Sequence, residues 1–290
     1  MKVKEEFREY LQTLGYSTQI SYELPNTIER ILHHLQGKPI SKITKKDLED
    51  YVLYLQTSIS TRTKQKRSIV QINSYIYALK HFSKFLYTVK EQTLTVHHLS
   101  YLKDVHKKTR EPLNLEEVQQ LFAVTDQTKY GLRDRAMLTL FYSCGLRRNE
   151  GIHVKTTDID FRKNLVFVEK GKLGKQRYVP FTEQSACYLK DYLYKARPQF
   201  IRKAEKKKRK TLFISNRGLA LESQSLLNRL NHLTKKAKID KKVGLHTLRH
   251  SIATHLLQNG MDIYSISEFL GHSSLESTQI YTHIIEDENQ

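Results

Sequence analysis

Four short stretches in the C-terminal part of the chain hold the side chains that phosphate chemistry needs. YSCGLRRNE (142–150) places Arg147, Arg148 and Glu150 after a glycine, and KGKLGKQR (170–177) is a Gly- and Lys-rich turn with Lys170, Lys172, Lys175 and Arg177. HTLRH (246–250) carries His246, Arg249 and His250, and LGHSSLESTQIYTH (270–283) carries His272 and Tyr281. Guanidinium groups match phosphate oxygens as a planar fork, lysine and histidine move protons, and a tyrosine hydroxyl is a nucleophile. Taken singly, each stretch has a plainer explanation. Arg147 fits a surface charge behind a helix cap, Lys172 a solvated hairpin lysine, and His246 with Arg249 a chance i,i+3 pair. Tyr281 is one of 17 tyrosines. The i,i+4 spacing of His246 and His250 suggests zinc, but no Glu stands between them as in HExxH and no Cys pair accompanies them, so no metal is assigned.

In this order, and within one domain-sized span, the pieces resemble the tyrosine recombinase (phage integrase) family, and within it the Xer-like members. The family pattern is GLRxxE, a lysine in a β-turn, HxxR, LGH, and a tyrosine nine residues beyond that histidine. Here the pieces are Gly145-Leu146-Arg147 with Glu150, Lys172, His246-Thr247-Leu248-Arg249, Leu270-Gly271-His272, and Tyr281 nine residues after His272. The resemblance covers nearly the whole chain. It implies that Arg147 and Arg249 clamp a phosphate, that His246 and His272 supply hydrogen bonds or handle protons, and that Lys172 protonates the leaving 5′-oxygen. Tyr281 would attack phosphorus and form a 3′-phosphotyrosine, while Glu150 orients an arginine or a neighbouring helix. A covalent link conserves the energy of the broken bond and the arginines take the place of a metal, so no cofactor is expected. The implied partner is double-stranded DNA with a specific recombination site. The implied assembly is a homotetramer on two sites that passes through a Holliday junction, with a paralogous recombinase or accessory protein as a further candidate, in dimer resolution or in integration and excision of a mobile element.

Two departures stand out. Gly151 follows Glu150 where the family usually has an aliphatic residue, so packing behind Arg147 should differ. The turn also offers several lysines. Lys172, Lys175 and Arg177 reproduce a K-x-x-K-x-R spacing, which selects Lys172, with Lys170 as the alternative. A type IB topoisomerase would share this chemistry without a defined site. A DNA-binding protein without catalysis would not need the complete set.

The elements that must position these residues are mainly helical. The expected fold is mainly α with a small β-sheet in the catalytic domain: a helical DNA-clamping domain over 1–105, a linker over 106–111, and a catalytic domain over 112–290. In the first domain the apolar spacing predicts helices ending near Gly15 and Gly37, a third opening at Thr44, and a long fourth from about Thr63 to Val89. Pro25 should kink or restart the second. Lys64, Lys66, Arg67, Lys80 and Lys84 gather on the fourth and are the candidate DNA contacts, with Asn73, Tyr75 and Tyr77 among them. In the second domain Asn114 and Glu117 form an N-x-x-E cap. Strands are expected at 165–169 and 176–181, with another short one at Phe213 and Ile214, and helices at 131–143, 183–196, 223–238, 246–259 and 262–270. Gly145 and Gly260 stand at helix ends. The run 202–210, with seven positive charges, reads as a solvated loop.

Bulk properties agree with a polyanion-binding protein. Lys and Arg number 49 against 30 Asp and Glu, a net charge of +19 that is spread along the chain rather than confined to a tail. Only Cys144 and Cys187 are present, which argues against a disulfide scaffold, and no apolar leader or membrane-length run is seen. A cytoplasmic location and no membrane partner are therefore expected.

Overall fold

The computed structural model describes residues 2–60, 64–103, 111–169, 176–201 and 210–271. The chain is mainly helical with a small antiparallel sheet, and it divides into two compact units, Met1–Lys108 and Thr109–Gln290.

The first unit contains α1 (Lys2–Thr13), α2 (Thr18–His34), α3 (Lys45–Thr57) and α4 (Ile69–Lys90). Each of the last three starts on a side-chain cap. Ser17 accepts from Ile20 N, Thr44 forms a capping box with Asp47, and Ser68 forms one with Gln71. The core between the helices is built from Phe7, Leu11, Ile31, Leu48, Phe82, Phe85 and Leu86, with Phe7 in edge contact with Phe82. Two sequence expectations need correction. Helix α2 runs through Pro25 without restarting, because Leu24, Ile28 and Ile31 are buried on either side of it and hold the segment in the core. Helix α4 begins at Ile69 rather than near Thr63. Lys64 has a left-handed φ of +54° and Lys66 bridges back to Ile59, so the chain turns there before Ser68 caps the helix.

The second unit opens with α5 (Leu115–Ala123), capped by the expected Asn114–Glu117 box. Helix α6 (Lys129–Leu138) widens into a π-helical turn over Thr139–Ser143. A short α7 (Arg148–His153), not foreseen from the sequence, follows Gly145. Strands β1 (Ile159–Asp160), β2 (Leu165–Val168) and β3 (Arg177–Pro180) form an antiparallel meander in which Val166 faces Val179 and Val168 faces Arg177. Helix α8 (Glu183–Lys190) passes through a second π-helical stretch, Asp191–Ala196, into α9 (Arg197–Ile201). The strand expected at Phe213 and Ile214 is an isolated bridge between Ile214 and Ala220. Helices α10 (Ser223–Lys236), α11 (Leu245–Gln258) and α12 (Ile263–Leu270) follow as expected. The core joins Met137, Leu140 and Phe141 to Val166 and Val179 of the sheet and to Tyr192, Phe213 and Leu248.

Candidate active site

The site begins where the widened end of α6 has to turn back. Gly145 ends it with φ +55°, and a Cβ there would stand 2.8 Å from Leu270 Cδ2, so both the backbone angle and the close approach of α12 require glycine. Two residues later Arg147 is the N-cap of α7. Its backbone N–H donates to Glu150 Oε2 at 2.9 Å and its Nη1 to Glu150 Oε1 at 2.8 Å. Gly151 lies directly behind. A Cβ at this position would fall 2.5 Å from Phe141 Cε1 and Cζ, so the Phe141 ring of the π-helical turn fills the volume that an aliphatic side chain would take.

Helix α11 supplies the second arginine. Thr247 Oγ1 accepts from Gly244 N at the helix start, and Ser251 Oγ donates to Thr247 O and accepts from Leu113 N, which ties the helix to the first segment of the unit. His246 is on the exposed side, whereas Arg249 is 1% exposed. Arg249 donates from Nη1 to Gly145 O at 2.5 Å and from Nη2 to Leu270 O at 2.7 Å, and its Nη1 is 4.0 Å from Glu150 Oε2.

A third arginine, Arg177 at the start of β3, joins them. It grips Glu150 end-on, Nη1 to Oε1 and Nη2 to Oε2, both at 3.0 Å, and its Nε donates to Phe269 O at 3.2 Å. Arg147 completes the pattern by donating Nη2 to Gly271 O at 2.7 Å. The three carbonyls that end α12, those of Phe269, Leu270 and Gly271, therefore accept from Arg177, Arg249 and Arg147 respectively. A helix C-terminus carries partial negative charge, which suits this arrangement. Glu150, with 2% of its side chain exposed, lies at the centre of the cluster. Burial pushes its carboxyl up, but the hydrogen bonds and charge of Arg177 and the bonds from Arg147 outweigh that and hold it at about 2. One carboxylate facing three guanidinium groups leaves an excess of positive charge, the condition for holding an anion.

The structure thus brings Arg147, Arg249 and Glu150 together and puts His246 on the same helix as Arg249. Lys172, with its alternative Lys170, and His272 and Tyr281 lie outside the described residues. Burial, and then the neighbouring His246, lower the pKa of His250. Among the described residues no group of three or more His, Cys, Asp or Glu side chains is arranged as metal ligands. Sequence reasoning had used Arg177 only to set the register of the turn. No local signal marked its larger role, because it meets Glu150, already paired with Arg147, across residues far apart in the chain.

The five basic residues singled out in the first unit fall in two places. Lys64, Lys66 and Arg67 precede α4, and Lys80 and Lys84 lie one turn apart on it. Lys64, Lys66 and Lys84 are exposed. Arg67 donates Nη1 to Ser58 Oγ at 2.7 Å and lies over the Tyr54 ring, while Lys80 Nζ sits 4.5 Å from the centre of the Tyr101 ring.

Comparison with known proteins places this geometry. Residues 111–288 match the model of the phage integrase family. The chain belongs to the phage integrase family. It is 35% identical over 283 residues to tyrosine recombinase XerC of Anoxybacillus flavithermus, covering 97% of this chain and 92% of that one. It is 32% identical over 287 residues to tyrosine recombinase XerD of Oceanobacillus iheyensis, covering 97% and 93%. Among solved structures, XerH site-specific recombinase bound to a palindromic difH substrate in a post-cleavage complex shares the fold, with a TM-score of 0.73 at 21% identity over 97% of this chain and 91% of that one. This family member is a tyrosine-type site-specific DNA recombinase. No helix among the described residues is long and apolar enough to cross a membrane.

Proposed function

We propose that this chain cleaves and rejoins one DNA strand at a time with Tyr281 as nucleophile, and that Arg147 and Arg249 hold the scissile phosphate. The convergence of both arginines on Glu150 and on the last carbonyls of α12 carries this reading. Attack by the tyrosine oxygen concentrates negative charge on the nonbridging oxygens of a pentavalent phosphorus. Fixed guanidinium groups stabilise that charge without reorganising at the moment of reaction. Arg147 has 24% of its side chain exposed and is the more open of the two clamps. Arg249 sits deeper, and its bonds to Gly145 O and Leu270 O set the direction in which its guanidinium faces. His246 and His272 supply hydrogen bonds or proton handling to the same phosphate.

The bond that breaks is P–O5′, and the leaving 5′-oxygen takes a proton from Lys172 in the segment between β2 and β3. In the reverse step that hydroxyl attacks the phosphotyrosine and the lysine takes the proton back. The bond energy stays in the phosphotyrosine, so neither ATP nor a metal enters. His272 follows Gly271 directly, so the clasp on the three carbonyls fixes the point from which the segment bearing His272 and Tyr281 departs.

The partner in this reading is duplex DNA with a specific site, contacted by both units. Lys64, Lys66, Arg67, Lys80 and Lys84 contact its phosphates. Recombination of two sites by a homotetramer, alone or with a paralogous recombinase, completes the reaction in the cytoplasm. Identity to a XerC and to a XerD is nearly equal, so selection of bound fragments from host genomic DNA is the way to find the site. The decisive test is Tyr281→Phe, which removes one hydroxyl. Binding to the selected fragment should persist, and the SDS-resistant protein–DNA adduct on a nicked form of it should vanish. An adduct formed by the variant would sink the assignment.

A further inference from the structure

We propose that Arg177 is a positioning residue whose charge keeps Glu150 from drawing Arg147 and Arg249 away from the scissile phosphate. This rests on the reading that these two arginines are the phosphate clamps.

A carboxylate and a phosphate compete for the same guanidinium donors. Glu150 is within 3.0 Å of Arg147, through both its backbone N–H and Nη1, and 4.0 Å from Arg249 Nη1. In a site this buried, an unneutralised negative charge at that range would cancel much of the field that two arginines offer to an anion, because Coulomb interactions strengthen as the effective dielectric falls. The carboxylate nevertheless has work to do there. It caps α7 and fixes the backbone of Arg147. The geometry reconciles the two demands by giving Glu150 its own counter-charge.

Arg177 alone of the three arginines makes a two-pronged contact with the carboxylate through both terminal nitrogens. Its remaining edge is turned to Phe269 O through Nε, and its side chain is 13% exposed. Its stem lies on Gly271, where a Cβ would meet Arg177 Cδ at 2.8 Å and Cζ and Nε at 2.9 Å. The guanidinium is therefore fixed against Glu150 and α12, whereas Arg147 keeps more of its surface open. A bidentate arginine–carboxylate pair is the strong, directional form of this contact, and a lysine cannot reproduce its geometry.

The interaction is isolated by a double-mutant cycle on the reaction rate, with Arg177→Lys as the charge-keeping control and melting read separately for structural loss. The probe is a nicked duplex of the fragment selected from genomic DNA, and the readout is the single-turnover rate of SDS-resistant adduct formation, with thermal melting measured in parallel. Arg177→Gln should slow the reaction about 100-fold, comparable to losing one transition-state donor. In a Glu150→Gln background there is no charge left to neutralise, and the same Arg177→Gln change should cost less than about 5-fold. Arg177→Lys keeps the charge and should react within about 10-fold of the unaltered protein. Equal losses in the two backgrounds, or a harmless Arg177→Gln, would overturn the proposal. If Arg177→Gln does not melt cooperatively, the comparison of Glu150→Gln with the double variant decides by the same thresholds. A failure of the underlying reading looks different: Arg147→Ala and Arg249→Ala then form the adduct as fast as the unaltered protein.

Discussion

At the level of single residues, Glu150 is the clearest case of a group whose environment sets its chemistry. Its carboxyl ordinarily titrates near 4.5 and is held at about 2 by Arg177 and Arg147, in spite of burial. The folded-state value lies below the unfolded one, so the stability it contributes is fully present above pH 4.5 and is lost as pH falls through the folded value near 2. At about 1.4 kcal/mol for each pH unit between the two values, the contribution is on the order of 3 kcal/mol. Glu150→Gln should therefore melt well below the unaltered protein near neutrality, and the gap should close as the pH is lowered from 4.5 toward 2. Melting temperatures across that range check it, and a gap that stays constant would show that the ionised form is not what stabilises the cluster. The identities of Arg147, Arg249 and Glu150 as a set were legible in the sequence because short motifs fix them. Arg177 was not legible as their partner, because the pairing is made across β3, α7 and α12, and no local pattern encodes it.

The elements divide in the same way between what local signals specify and what packing decides. Thr44, Ser68 and Asn114 start α3, α4 and α5 with side-chain bonds confined to one turn, and such caps can be read directly from sequence. The end of α6 is different. Its π-helical turn and the six-residue α7 set the Phe141 ring on Gly151 and bring Gly145 against Leu270 and Phe269 of α12 and Ile252 of α11, which periodicity along one helix does not reveal. Strand β1, with two residues, was too short to leave a pattern, while β2 and β3 showed as short β-branched and aromatic stretches either side of a Gly- and Lys-rich segment. The segment between β2 and β3 carries the general acid in the mechanism proposed above, and a test exists that separates it from the clamps. A 5′-bridging sulfur makes the leaving group a thiolate, whose conjugate acid is several pK units stronger than an alcohol, so no proton need be supplied. Lys172→Ala should cleave ordinary DNA very slowly and recover much of its rate on the sulfur-substituted strand. Arg147→Ala and Arg249→Ala lose charge stabilisation and should gain far less. Selective rescue of Lys170→Ala instead would move the acid by two residues.

For the whole molecule, the net charge of +19 and the division into two units lead to a quantitative expectation about binding. Each unit has its own apolar core, built around Phe82 and Phe85 in the first and around Phe141 and Leu248 in the second. A fragment ending at Lys108 should fold as helices and bind the selected duplex weakly. The full chain should bind at least about 100-fold more tightly, because linkage turns the second contact into an intramolecular one. Both affinities should fall with salt, more steeply for the full chain, since the slope counts the phosphates neutralised. Fluorescence anisotropy at several salt concentrations checks this. Equal affinity or equal slopes for fragment and full chain would mean that the first unit carries all of the contacts.

The contact between Phe141 and Gly151 also limits how such a protein can be altered piece by piece. The ring belongs to the segment before the GLR motif and the vacant position to the segment after it, so the volume is shared across the motif rather than held within it. Transplanting residues 144–153 from a relative with an aliphatic residue at the position of Gly151 would drive that side chain into the ring, while moving Phe141 alone into the relative would produce the same collision from the other side. The order of exchange matters as well. Loss of the aliphatic group first leaves a void, whereas arrival of the ring first leaves an overlap, and a void is the milder intermediate because neighbouring atoms can relax into it. The GLR segment is thus interchangeable between relatives only together with the helical turn that precedes it.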